Sequence, residues 1–101
     1  MNLNLYKPLQ CVSPCGQKKV TVRYEDDYIG SSDSYYTDTV IELHHDETNK
    51  TLLWVTNYSV NDIHFTPDGN HVVVHGPHYK DLTTPRFDFN CHTGVGILSI
   101  D

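Results

Sequence analysis

The chain has 101 residues, a length for one domain or for two very small repeats that share a core. Thirteen acidic against seven basic side chains give a net charge of -6, which argues against direct contact with nucleic acid or an anionic membrane surface, since both need a basic footprint. No stretch is apolar for long enough to span a bilayer as a helix, residues 1–8 lack the apolar core and cleavage site of a signal peptide, and a cytoplasmic location is expected.

Apolar residues recur at no helical spacing, whereas Thr, Val, Ile and Tyr fill the segments between turns, so the chain reads as all-β with little or no helix. Leu9–Val12 leads into Ser13-Pro14-Cys15-Gly16. There proline presets φ for a type I turn, and glycine supplies the positive φ that closes it as a bulged hairpin. Residues 18–25 leave this turn with Val20, Val22 and Tyr24 on one face. Residues 26–34 read as a polar loop, 36–43 as a strand, 46–50 as a hairpin connection and 51–56 as a fourth strand. Trp54, inside Leu52-Leu53-Trp54-Val55, reads most simply as a core residue, with an exposed interface anchor as the alternative.

The plan then recurs. Residues 60–65 enter Thr66-Pro67-Asp68-Gly69, residues 70–75 leave it, 76–85 form a loop, 86–90 a strand, and His92-Thr93-Gly94 turns into a last strand over 95–100. Pro14 and Pro67 stand 53 positions apart, as do Gly16 and Gly69. The expectation is a single domain over 1–101 holding two internal repeats, about 9–57 and 60–100. Each is a four-stranded antiparallel meander, and the two pack as a sandwich. The extra length of the first repeat falls in 26–34.

The run Phe65-Thr66-Pro67-Asp68-Gly69-Asn70-His71-Val72-Val73-Val74 resembles the strand, turn and strand of β-propeller blades in the WD40 and TolB-like families. Gly-His and Trp-Asp signatures are missing, and Cys15 stands in the first turn where Asp68 stands in the second. The resemblance implies blade-like repeats. A propeller ring needs about four blades to close, so two imply either a stand-alone pair or a ring built by several chains, and the pair is expected. In size, charge and architecture the chain is also similar to the immunity proteins of bacterial toxin systems, which implies a binder.

Between Tyr24 and His45 lie Glu25, Asp26, Asp27, Asp33, Asp38 and Glu42, with no lysine or arginine among them. Tyr24, Glu25, Asp26, Asp27, Tyr28, Asp33, Tyr35 and Tyr36 form the expected partner-binding set. Tyrosine supplies contact area at low entropic cost, and the carboxylates steer a basic partner. Three cysteines, Cys11, Cys15 and Cys91, suit structural thiols better than a disulfide framework, although Cys11 and Cys15 flank one turn closely enough to consider a bridge. Seven histidines include His71 and His75, which share a face with Val73, and His78 just beyond; a zinc site with Cys91 or His92 is conceivable, but no metal-ligand spacing supports it, and neither metal nor cofactor is expected. Phosphate-cradling and nucleophile-elbow motifs are lacking, so the chain is not expected to be an enzyme.

The functional expectation is a protein-binding inhibitor, specifically a cytoplasmic immunity protein that covers the active site of a cognate bacterial toxin, with a basic protein as partner. Two alternatives are a phage-encoded inhibitor of a host defence complex and a structural or oligomeric β module. A chain this small also leaves room for a homodimer.

Overall fold

The computed structural model describes residues 8–28, 35–56, 58–77 and 83–100. They contain no helix. The strands are β1 (Leu9–Val12), β2 (Lys18–Tyr28), β3 (Tyr35–His45), β4 (Thr48–Thr56), β5 (Asp62–Phe65), β6 (His71–His75), β7 (Pro85–Asn90) and β8 (Gly96–Ile100). They form two antiparallel four-stranded sheets in sequential order, β1-β2-β3-β4 and β5-β6-β7-β8, which is the all-β, two-meander architecture the sequence leads one to expect.

Several boundaries differ from expectation. The β2–β3 ladder continues through Asp26↔Thr37 and Asp27↔Tyr36 to Tyr28↔Tyr35, so residues 26–28 are strand rather than loop. Backbone pairing in register with Val20 and Val22 overrides the low strand propensity of consecutive carboxylates. Residues 29–34 of the expected loop lie outside the described residues. The connection expected over 46–50 contracts to Asp46 and Glu47, because His45 already pairs with Thr48 and Asp46 takes a positive φ of 57°. Finally, Pro85 belongs to β7, opposite Ile100.

The two proline turns are copies in atomic detail. Ser13 N donates to Lys18 O at 2.9 Å, Gly16 N to Ser13 O at 2.9 Å, and Lys18 N to Ser13 Oγ at 3.1 Å. In the second turn Thr66 N donates to His71 O at 2.9 Å, Gly69 N to Thr66 O at 2.8 Å, and His71 N to Thr66 Oγ1 at 3.1 Å. Gly16 and Gly69 sit at φ 78° and 73°, as the bulged hairpin requires.

This correspondence fixes how the units pack. Val20 and Val22 of the first sheet join one core cluster with Val72, Val74 and Phe89 of the second. Superposing the turns makes Lys18 equivalent to His71, hence Val20 to Val73 and Val22 to His75. The core-facing residues of the second unit, Val72 and Val74, correspond to Lys19 and Thr21. Each unit therefore contributes opposite faces of the same meander, front packed against back. The outward faces are versions of an inner face with polar residues at most positions.

Tyr58, in the connection between units, is fully buried. Thr39 Oγ1 donates to its carbonyl, its own hydroxyl donates to Pro85 O at 3.1 Å, and its ring meets Phe87 edge-on at 5.6 Å. Lys18 Nζ reaches across to Gly69 O at 3.1 Å and Lys50 Nζ to His92 O at 3.2 Å, adding further ties between the sheets.

Candidate functional site

The outward face of the first sheet carries a connected aromatic and charged network. Alternation from Val22 and Tyr24, which turn toward the core, places Arg23 and Glu25 outward on β2. The register sets Arg23 opposite Val40, and Val40 opposite Trp54. Val40 is buried beneath them. Arg23 Nε donates to Glu42 Oε1 at 2.9 Å, Nη1 pairs with Glu25, and the guanidinium carbon lies 5.8 Å from the Trp54 ring centroid. Glu42 first, then Glu25, raises the pKa of Arg23 further. Trp54 Nε1 donates to Asp38 Oδ2 at 3.1 Å, and Thr56 Oγ1 donates to Asp38 Oδ1 at 3.1 Å. The network thus holds three carboxylates, Glu25, Asp38 and Glu42, against one guanidinium.

Trp54 is 55% exposed, which corrects the expectation that it lies in the core. A β-bulge between Ile41 and Glu42 is responsible: Ile41 pairs with Leu53 and Glu42 with Thr51, leaving Leu52 as the extra residue. Leu52 is then buried in the core cluster and Leu53 packs against it, so two consecutive leucines face inward and Trp54 turns out. An indole held at its ring nitrogen by Asp38 and faced by Arg23 keeps its apolar surface open in a fixed orientation, which suits it as a contact anchor.

Of the expected partner-binding residues, Tyr24 and Glu25 fall on opposite faces of β2. The hydroxyl of Tyr24 accepts from Val60 N at 3.1 Å, which gives this tyrosine a role in joining the sheets, while Glu25 belongs to the outward network. Asp26, Asp27, Tyr28, Tyr35 and Tyr36 lie in the extended β2–β3 ladder, and Asp33 lies outside the described residues. The structure joins Glu25 instead to Asp38, Glu42, Arg23 and Trp54. Their period-two spacing, Arg23 with Glu25 on one strand and Asp38, Val40, Glu42 on the next, is the signal from which this face could be read.

Cys11, Cys15 and Cys91 are free thiols, so the bridge considered for Cys11 and Cys15 is not formed. Cys15 has its pKa lowered, chiefly by the Ser13 hydroxyl, whereas burial raises that of Cys91. Among the described residues no group of three or more His, Cys, Asp and Glu side chains converges as metal ligands would. His71 Nδ1 lies 2.8 Å from Asp88 Oδ1, and His78 is outside the described residues.

No family model, curated protein or solved structure matches this chain.

Proposed function

We propose that this protein is a binding inhibitor that docks the Trp54 face of its first sheet onto a basic surface of another protein. In its concrete form it is a cytoplasmic immunity protein covering the electropositive active site of a cognate toxin enzyme. The observation that carries the reading is Trp54 itself, open to solvent yet oriented by Asp38 and Arg23 within a face of excess negative charge. Tryptophan and arginine dominate the energetic centres of protein interfaces, and surrounding carboxylates accelerate encounter with a cationic partner. The extended ladder through Asp26 and Asp27 adds acidic residues to the β2–β3 end of that sheet.

The test is affinity capture from the source cell with the native protein, the Trp54→Ala variant and a variant with Glu25, Asp26 and Asp27 replaced by lysine, followed by binding kinetics on the recovered protein. One basic protein is expected. Trp54→Ala should weaken its binding by about 2 kcal/mol or more, mainly through faster dissociation. The lysine variant should associate slowly and with reduced salt dependence. A partner that binds both variants as well as the native protein overturns the proposed face.

A further inference from the structure

A second feature lies away from the Trp54 face, at the end of the molecule where the sheets meet the β3–β4 and β7–β8 turns. The sheets part there around a cleft of about 290 Å³, close to the lower end of small-molecule sites at about 300 Å³. Leu43 and Cys91, both buried, form its apolar side, and Lys18 and Lys50 enter it from β2 and β4. His45, Thr48, His92 and Asn70 complete its polar rim.

In a chain of net charge -6 this lining is unusual, for it contains two lysines and no carboxylate. Each ammonium has three donors. Lys18 directs one to Gly69 O and Lys50 one to His92 O, and neither has an ion-pair partner among the described residues. Asp46, Glu47, Asp68 and Asp88 stand near the cleft but outside its lining. Asp46 lies 3.9 Å from His45, Asp68 accepts from Thr66 and Asn70 within its turn, and Asp88 lies against His71. The thiol of Cys91, its pKa raised by burial, adds no negative charge. The cleft thus presents two ammonium groups without an ion-pair partner among the described residues, and further donors, beside an apolar wall. That chemistry suits a compact dianion, with the wall left for whatever the anion is attached to.

We infer that this cleft binds the phosphoryl group of a small phosphorylated molecule, with Lys18 and Lys50 as the charged clamp and His45, His92 and Asn70 as donors around it. The volume limits the occupant to roughly the size of a mononucleotide or sugar phosphate.

The inference is tested by following backbone amide resonances of the whole chain at low ionic strength during titration with inorganic phosphate, AMP and adenosine. Saturable shifts at Lys18, Asn70 and His92 are expected with phosphate and at lower concentration with AMP, and none with adenosine. Lys18→Gln combined with Lys50→Gln should weaken AMP binding by about tenfold or more, as expected for losing charge-assisted hydrogen bonds. Because both lysines also tie the sheets together, Lys50→Gln alone is measured as well; it leaves the Lys18 tether in place and should show a smaller loss in the same direction. Absence of saturable shifts with phosphate and AMP, or unchanged AMP binding in folded lysine variants, overturns the site. Phosphate binding with AMP no tighter overturns its assignment to a phosphorylated molecule.

Discussion

Cys15 and Asp68 occupy the same position in two copies of one turn, and each partners the hydroxyl two residues before it. Cys15 Sγ lies 3.4 Å from Ser13 Oγ, and Asp68 Oδ1 lies 2.6 Å from Thr66 Oγ1. Asp68 does more, since the same oxygen accepts from Asn70 N at 2.9 Å. Replacing the thiol by a carboxylate should therefore convert the first turn into the better-bonded version of itself. Cys15→Asp is expected to raise the melting temperature at neutral pH by a few degrees, because a charge-assisted hydrogen bond exceeds a thiol contact in strength. The gain disappears in acid. The carboxyl of Asp68 is held below its ordinary pKa by the Thr66 hydroxyl first and the Asn70 amide second. Its contribution is thus present above the unfolded carboxylate value and lost as pH falls through the depressed folded value. Thermal melts across the acid range should show Asp68→Asn flattening that loss and Cys15→Asp steepening it. An unchanged neutral melting temperature for Cys15→Asp would mean that the two turns are not equivalent.

The glycines separate two kinds of constraint. A Cβ at Gly76 would lie 1.9 Å from Ser59 O and 2.9 Å from Asn61 N, both backbone atoms of the chain running beside it. Gly76→Ala therefore forces that segment away from Pro77 and His75, whose carbonyls accept from Ser59 N and Asn61 N. A cost of about 3 kcal/mol, at the upper end of overpacking, is expected in denaturant unfolding. Gly69 has space around its Cβ position but φ of 73°, so Gly69→Ala should cost only the conformational penalty of about 1–2 kcal/mol. Gly69→Val should cost more, because a β-branched side chain fits that region poorly. If Gly76→Ala proves the milder change, the close approach to Ser59 is wrong.

The architecture was legible because the turns are chemically explicit. Pro14 with Gly16 and Pro67 with Gly69 each specify a hairpin, and the alternation of Val20 and Val22 marks the inward face of β2, whereas three consecutive valines at 72–74 leave that of β6 unmarked. The candidate face was not legible, for two physical reasons. The bulge opposite Ile41 and Glu42 breaks alternation within Leu52-Leu53-Trp54-Val55, and four apolar residues in succession give no sequence mark of where the extra residue sits. Tyr24 and Glu25 are neighbours in a cluster that looks like one surface, yet a strand sends them to opposite sides. Both fall within the strand expected over 18–25, so their separation follows from its period of two, and grouping them with the residues after them as one surface concealed it.

Tyr58 links the pH response to the core. Burial, and then proximity to Tyr24, raises its pKa well above the ordinary tyrosine value. A pKa raised in the folded state means that the folded protein holds a proton which the unfolded chain releases. Stability is then fully present below the unfolded value of about 10 and declines as pH rises beyond it. Alkaline unfolding is expected to begin there. Tyr58→Phe removes the hydroxyl bonded to Pro85 O and should cost about 1 kcal/mol at neutral pH, partly offset because Gly76 N also approaches that carbonyl, at 3.4 Å. The variant should lose less of its stability above pH 10 than the native protein does, as followed by circular dichroism. Parallel alkaline curves for the two proteins would exclude Tyr58 as the responsible group.

The outward faces decide whether two units suffice. A repeat that packs front to back can add further copies unless its terminal faces are polar. Here Lys19 and Thr21 replace Val72 and Val74 on one end, and His75 replaces Val22 on the other, where His64 and Asp62 also lie beside Val73. These replacements should keep the chain a monomer, with light scattering returning a mass near 11.6 kDa. Restoring the apolar equivalents by Lys19→Val with Thr21→Val should expose a face that the Val73 side of a second molecule can meet. Such a contact is heterologous and does not close after two copies, so the mass should rise continuously with concentration instead of stopping at a dimer. A native protein that already forms a defined oligomer would show that the polar replacements do not cap the repeat. The structural-module alternative would then displace the inhibitor reading.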